Sequence, residues 1–449
     1  ACTTKDNLII NALAGAAKTS TLVMIANDPR MASTSILCLA FNKKIAEEMR
    51  TRLPSTCTSM TLNSLGHKVW GQALGKRLKL DEKKNYSILK RLIEEQSKND
   101  QDLLWANYGE LNRIIGHAKS SGWVPEACKR PNTSLIPDEE FFSSLDEALT
   151  PIEERIVTRA LLISIEESYS GLIGFDDQLY MPTCFPARFV NYPLTMIDEA
   201  QDLSPLNHAM LEKIVGPKRL FAVGDPCQAI YGFRGAFSDS MSRLHQRFSM
   251  REFILSVSFR CPQAVVHEAR WRAPHMQFPD WAKGGAIRTL PEWSVDNLTA
   301  DAVILCRNNA PIFRMAVLLL QEGRYPQIVG NDIGKNLIKA MEKLGDRNMT
   351  ALQAQEALRI YEEKRLARAQ NDKAEGNISD FCTCISIFLS RADTLGGAIQ
   401  YAEYIMNTSG PIKMMTGHKS KGLEFHNVYI LDRDLLQVKN PASQDNNLL

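Results

Sequence analysis

An α/β fold with parallel sheets, in which each of two sheet regions carries a helical insertion, is what this chain predicts, on three observations. Short apolar runs end in residue types suited to holding phosphate or metal: residues 7–12 lead into a small-residue loop and Lys18-Thr19, and Leu194-Thr195-Met196-Ile197 leads into Asp198-Glu199. A further apolar run, Leu220-Phe221-Ala222-Val223, leads into Asp225 and Gln228. Blocks with helical spacing interrupt this pattern, and strand-like sequence restarts at Ala302-Val303-Ile304-Leu305-Cys306-Arg307.

In chain order, Asn7 to Ala12 reads as a short buried strand, Leu13-Ala14-Gly15-Ala16-Ala17 as a phosphate loop, and Lys18-Thr19-Ser20-Thr21-Leu22 as a helix start. Backbone N–H groups of Ala14 to Ser20 are expected to hold phosphate oxygens, with Lys18 neutralising charge and the Thr19 hydroxyl ligating Mg²⁺. The phosphate-loop pattern asks for Gly before the Lys and Gly at its start, where this chain has Ala17 and Ala12. A Cβ at position 17 is expected either to crowd the phosphates or to meet a backbone conformation that Gly adopts freely.

Ser35 to Ala40 and Thr58 to Leu62 read as two more strands, followed by Phe41-Asn42-Lys43 and Asn63-Ser64. Residues 71–178 read as mostly helical; Tyr86 to Glu95 has apolar i, i+3, i+4 spacing. Within that block Lys76, Arg77, Lys79, Lys83, Lys84, Lys90 and Arg91 read as a solvated basic face. At the end of the 194–197 strand, Asp198 is placed to hold Mg²⁺ and Glu199 to orient or deprotonate water, since ligands bind beyond the carboxyl ends of strands in open α/β sheets. Gln228 is a candidate sensor of a γ-phosphate. Tyr231, Phe233 and Arg234 combine aromatic faces with a guanidinium, which suits stacking on single-stranded bases; in isolation such aromatics read as core.

The fixed order of these segments resembles the superfamily 1 DNA helicases of the UvrD/Rep/PcrA type, including phage and F-box DNA helicases. The segments that carry the resemblance are Leu39-Ala40-Phe41-Asn42-Lys43, Thr61-Leu62-Asn63-Ser64-Leu65 and Val223-Gly224-Asp225-Pro226-Cys227-Gln228 with Tyr231 and Phe233-Arg234. Ser258-Phe259-Arg260-Cys261-Pro262 and Thr416-Gly417-His418-Lys419-Ser420-Lys421-Gly422-Leu423-Glu424-Phe425 complete it. It covers most of residues 7–262 and again about 300–449.

The resemblance implies two RecA-like P-loop NTPase domains: residues 1–70 with 179–255, and 256–334 with 411–449. Helical insertions of 71–178 and 335–410 would interrupt them, the second short for the family and including the Ala351 to Ala369 helix. It implies that Arg260 reaches the γ-phosphate, where an arginine is worth about 10³-fold or more in rate. It further assigns Phe259 to the adenine, Glu424 to the nucleotide, and Phe41, Asn42, Asn63, Thr416 and His418 to single-stranded DNA. Asn63 stands where the family has His. An adenine-reading Gln segment would precede the first strand and a final arginine would follow Gln444 to Leu449, so both ends read as cut.

Composition alone points nowhere near this. Lys plus Arg is 53 against 51 for Asp plus Glu, a net charge of +2, so DNA binding would need a local basic groove and would weaken with salt. Ten Cys lie without a repeated metal spacing, and Cys382-Thr383-Cys384 falls short of a zinc site, so reduced intracellular thiols are expected. No 18-residue apolar run and no secretory leader is visible. The expected activity is ATP-dependent translocation on single-stranded DNA and at single/double-strand junctions, 3′ to 5′ by resemblance, with loading, repair or replication proteins as partners. The alternative, which Ala17 favours, is a degenerate module that binds nucleotide without turning it over. A nuclease is the third reading, which the sequence does not favour because it shows no acid-acid-Lys cluster outside the segments above.

Overall fold

The computed structural model describes residues 2–230, 236–290 and 294–436. They form two units, one of Ala1–Ser144 with Thr150–Ile287, the other of Leu145–Leu149 with the residues from Arg288 on.

The first unit is built on a six-stranded sheet. Its strands are β1 (Leu8–Ala12), β2 (Ile36–Ala40) and β3 (Cys57–Thr61), then, after the small parallel pair β4 (Lys79–Leu80) and β5 (Leu172–Ile173), β6 (Leu194–Ile197), β7 (Arg219–Gly224) and β8 (Arg251–Leu255). The spatial order is β3-β2-β6-β7-β1-β8 and every pair is parallel. Parallel strands are covered on both faces, which explains why these segments read as unbroken apolar runs. Alternate residues serve opposite cores. Leu8, Ile10, Ile36 and Cys38 pack with Leu22, Ile25 and Met49 of α1 (Lys18–Ala26) and α2 (Lys43–Arg52). Ile9, Leu37 and Leu39 pack on the other face, with Leu65 and Val69 of α3 (Leu62–Leu74) and with Met210 and Ile214.

The block between β3 and β6 is mainly helical, as its periodicity predicts. After α3 come α4 (Lys84–Glu94), α5 (Lys98–Ala106), α6 (Tyr108–Ser121), α7 (Asp138–Ser143), α8 (Pro151–Tyr169) and α9 (Asp177–Cys184). Thr150 and Glu153 close a reciprocal capping box at the start of α8, with Pro151 in the first turn. The expectation of a solvated basic face fails at Lys84, which is 1% exposed. Its ammonium donates to Asp177 Oδ2, Ser168 Oγ and the Ser164 carbonyl, each at 2.7 Å, while Lys119 reaches Asp177 Oδ1 at 2.6 Å. The apolar spacing of α4 turns Lys84 inward, and the charge is tolerated because every donor finds an oxygen.

Residues 256–287 pack with the first unit, although motif spacing places the start of the next domain at Ser256. Leu13 of the phosphate loop shares a small apolar core with Val266, Ala273 and Met276, which ties the segment down.

The second unit carries a four-stranded parallel sheet of order β10-β11-β9-β12, from β9 (Val303–Cys306), β10 (Pro326–Ile328), β11 (Ile412–Thr416) and β12 (Val428–Ile430). Between β10 and β11 lie helices Asn331–Glu342, Ala351–Leu366, Asp372–Leu389 and Leu395–Asn407. Cys382 and Cys384 are buried in this unit's apolar core. The excursion Leu145–Leu149 joins the unit through Glu147, whose carboxylate pairs with Arg365. Among the described residues no helix is long and apolar enough to cross a membrane.

Candidate active site

Six parallel strands place six chain segments along one carboxyl edge, and the candidate residues of the first unit follow those ends. Phe41 follows β2, Asn63 follows β3, Asp198 follows β6, Gln228 lies beyond β7, Lys18 beyond β1, and Arg260 beyond β8. This is the edge where open α/β sheets bind ligands.

The loop between β1 and α1 turns tightly into the helix through two left-handed residues, Gly15 and Ala17. Gly15 has φ +75°, and a Cβ there would sit 2.6 Å from Ser258 Oγ and 2.7 Å from Arg260 Cβ, so only glycine fits. Ala17, at φ 58° and ψ 42°, occupies the left-handed region as the residue before α1. The conformational half of the sequence expectation therefore holds: a position suited to Gly is filled by a residue that strains there, at a cost of about 1–2 kcal/mol. Its exposed Cβ relieves any packing conflict within the chain. No side chain caps α1 and its first turn carries no acid, so its leading N–H groups remain directed at whatever lies in front of them.

Around this loop the polar side chains converge. Thr19 Oγ1 donates to Asp198 Oδ2 at 2.6 Å. Lys18 Nζ donates to Gln228 Oε1 at 3.3 Å and lies 3.9 Å from Glu199 Oε1. The other Asp198 oxygen accepts the Glu199 N–H at 2.9 Å. Burial, together with the neighbouring Glu199 charge, pushes the Asp198 carboxyl up to about 6 against the pull of the Thr19 hydrogen bond. Asp225 is also pushed up to about 6, mainly by burial, with Lys18 opposing. A hydroxyl and a carboxylate in contact are hard oxygen donors of the kind that hold Mg²⁺ beside a phosphate, and the arrangement fits that group. Glu199 itself has φ 54°, a strained conformation of the sort that accumulates at functional sites.

Arg260 joins the loop through its neighbours: the Phe259 N–H donates to the Gly15 carbonyl at 3.0 Å, and Ser258, fully buried, accepts from the Cys261 N–H at 3.2 Å. The Phe259 ring is 57% exposed. Phe41 and Asn63 share a cavity of about 80 Å³ with Asp198 and Asn207. Asn42 has a structural task, accepting the Ile45 N–H at 2.9 Å as the N-cap of α2. Thr416 closes β11, and His418 lies in the short helix Gly417–Ser420, with Glu424 exposed beyond it; all three belong to the second unit. Tyr231, Phe233 and Arg234 lie outside the described residues.

One residue without a role in the sequence reading is central. Gln201, 1% exposed, donates through Nε2 to Glu199 Oε2 at 2.5 Å, and its Oε1 accepts the Asp225 N–H at 3.0 Å. It therefore couples the ends of β6 and β7. A Cβ on Gly224 would meet Gln201 Oε1 at 2.6 Å, so the close approach requires that glycine. The signal in the sequence was its place in the Asp198-to-Asp202 run; its partner across the sheet was not visible there. Ser240 adds a second brace, donating to the Ala200 carbonyl at 2.7 Å with His208 Nε2 2.9 Å from its hydroxyl.

Comparison with known proteins agrees with this geometry. The model of the UvrD/REP helicase N-terminal domain matches residues 1–249. F-box DNA helicase 1 of Gallus gallus is 26% identical over 98% of this chain and 44% of its own length. A probable DNA helicase II homolog of Mycoplasma genitalium is 22% identical over 92% of this chain and 74% of its own. ATP-dependent DNA helicase PcrA of Leuconostoc citreum is 22% identical over 64% and 40%. The chain thus spans less than half the length of the chicken protein it resembles. With more than half of its residues matched and the phosphate loop, paired acids and strand-end glutamine gathered on one sheet edge, this chain belongs to the UvrD/REP helicase family.

Proposed function

We propose that this protein is an ATP-driven DNA helicase that moves 3′ to 5′ on single-stranded DNA and separates strands at single/double-strand junctions. The observation that carries the reading is the meeting of Lys18, Thr19, Asp198, Glu199 and Gln228 at the ends of β1, β6 and β7. Lys18 neutralises the β/γ-phosphates and Gln228 senses the γ-phosphate. Glu199 takes the proton of the attacking water, held in line by Gln201. Arg260 counters charge on the transferred phosphoryl group, and Phe259 stacks on the base. Thr19 and Asp198 would hold Mg²⁺, which when bound supplies Lewis-acid polarisation of the phosphate oxygens.

Residues 1–70 with 179–287, and 288–334 with 411–449, act in this reading as two RecA-like domains, with 71–178 and 335–410 as insertions; the first extends past Ser256 because Leu13 packs on Val266 and Met276. Phe41, Asn42, Asn63, Thr416 and His418 grip the strand, Glu424 contacts the nucleotide, and loading or repair and replication proteins act with it inside the cell. The family membership and the names of the relatives, two of them called DNA helicases outright and one a probable homolog, support the substrate.

Strand separation on duplexes carrying a 3′ or a 5′ single-stranded tail, with ATP and Mg²⁺, tests the proposal. Unwinding of the 3′-tailed duplex alone is expected. Preference for the 5′ tail overturns the polarity, and nucleotide binding with neither unwinding nor turnover favours the second reading, a nucleotide-gated binding module. That reading draws on Ala17, which fills a left-handed backbone position where the loop's usual residue is glycine.

A further inference from the structure

A cleft of about 510 Å³ lies in the first unit, its wall including Leu135, Thr183, Glu212, Lys213, Arg247 and Phe248. Lys213 stands in the last turn of the helix Pro205–Val215, which leads into β7, and Phe248 leads into β8. The Phe248 carbonyl accepts from Asn7 Nδ2 at 2.7 Å, just ahead of β1. The cleft therefore flanks the amino ends of strands whose carboxyl ends lead to Lys18, Gln228 and Arg260, and its chemistry does not depend on the nucleotide reading of that other edge.

Lys213 is the uncommitted cation of this wall. Its ammonium donates to the Thr183 carbonyl at 2.6 Å, and among the described residues no carboxylate pairs with it. Burial lowers its pKa, as expected of an ammonium that has lost water without gaining an anion. Arg247 is spent by contrast, held by both oxygens of Glu212 at 2.8 and 2.9 Å. The Thr183 side chain is 1% exposed and its hydroxyl has no partner, although buried polar groups are ordinarily bonded. The mounting is firm: Asn191 Nδ2 donates to the carbonyls of Lys213 and Ile214 at 3.2 and 2.7 Å, and the Leu135 N–H donates to the Gly122 carbonyl at 3.0 Å.

We propose that this cleft is a docking groove for an extended acidic peptide of a partner protein, one carboxylate pairing with Lys213 and an apolar neighbour lying against Phe248 and Leu135. A lysine ammonium has three donors, and the Thr183 carbonyl takes one, which leaves the others for a charge-assisted bond to a carboxylate. One spare cation beside apolar surface matches an acidic residue followed by an apolar one. The rim is open, with Leu135, Lys213 and Arg247 all exposed, whereas sites for small molecules enclose most of the ligand; this favours a passing chain. A nucleic-acid strand asks for a track of cations with stacking faces, and here Arg247 is already neutralised by Glu212.

Fluorescence anisotropy of the labelled peptide Gly-Asp-Phe-Asp-Leu-Gly, titrated with the 449-residue chain, tests it. Saturable binding is expected, weakened about tenfold or more by Lys213→Met, and by a similar factor when both Asp of the peptide are replaced by Asn. Lys213→Arg keeps the charge and should retain most of the affinity, which separates loss of the cation from loss of the fold. Lys218→Met removes an exposed cation outside the wall and should change little. Absence of saturable binding overturns the groove, as does equal binding of the Asn peptide. So does an equal loss in Lys218→Met, which would mean general charge attraction, or a tenfold loss of oligothymidine binding in Lys213→Met, which would give the cleft to DNA.

Discussion

The Thr19 hydroxyl donates to Asp198 Oδ2 at 2.6 Å, joining the first turn of the helix after the phosphate loop to the end of the strand two places away in the sheet. Thr19→Val keeps the shape and removes the oxygen. The expected outcome is a 10- to 100-fold rise in the Mg²⁺ concentration needed for half-maximal ATP turnover, with nucleotide-free stability little altered. A magnesium titration of the initial rate checks it.

Gln201 positions Glu199, so replacing it should alter chemistry more than nucleotide affinity. Gln201→Glu keeps the acceptor for the Asp225 N–H but sets a second carboxylate against Glu199. The repulsion should turn the Glu199 carboxylate from its place, lowering kcat about tenfold or more while KM for ATP stays within about twofold. Equal losses in kcat and in ATP affinity would reduce Gln201 to a packing role.

Ala17 costs stability for conformational reasons alone. Ala17→Gly is expected to stabilise the protein by about 1 kcal/mol, since the left-handed penalty of Ala exceeds the extra entropy that Gly loses on folding. Denaturant unfolding of the two proteins side by side measures it. Equal or lower stability in the glycine variant would show that the loop relaxes around the methyl group.

His208 is held down to about 4, chiefly by burial, and Arg243 adds to the effect. The folded pKa lies below the unfolded value near 6.5, so the unfolded chain binds the extra proton between these two values. Stability from this residue is therefore complete above pH 6.5 and drains away as pH falls toward 4, by at most about 3 kcal/mol. Denaturant midpoints at pH 7 and pH 5 should differ less in His208→Gln than in wild type.

Asp177 balances two buried lysines, and the folded state holds its carboxyl well below the usual range because Lys119 and Lys84 outweigh its burial. Asp177→Asn removes the one carboxylate in contact with both ammonium groups and should destabilise the first unit by about 3–5 kcal/mol. Asp177→Glu should recover part of that. Thermal unfolding followed by tryptophan fluorescence reads both.

Much of the sheet was legible because parallel strands buried on both faces leave unbroken apolar runs: Leu194–Ile197 became β6 without change, and the helix start at Lys18 coincides with α1. The phosphate loop and the paired acids could be read for a related reason, since a strand end fixes where its next side chains go. What stayed hidden depends on contacts between distant segments. Nothing local to Gln201 shows that its amide spans from Glu199 to Asp225, and nothing in Asn42 distinguishes an N-cap from a DNA contact. Lys84 read as solvated because its partner Asp177 lies 93 residues away. The extent of the first unit past Ser256 follows from Leu13 packing on Val266 and Met276, again a long-range event.

The central claim is that the residues gathered around Lys18 hydrolyse ATP in response to DNA. Steady-state ATP hydrolysis, with and without single-stranded DNA, for wild type and Glu199→Gln tests it most directly. The wild-type rate is expected to rise about tenfold or more with DNA and to be lost in the variant. A wild-type rate equal to that of Glu199→Gln under both conditions would contradict it.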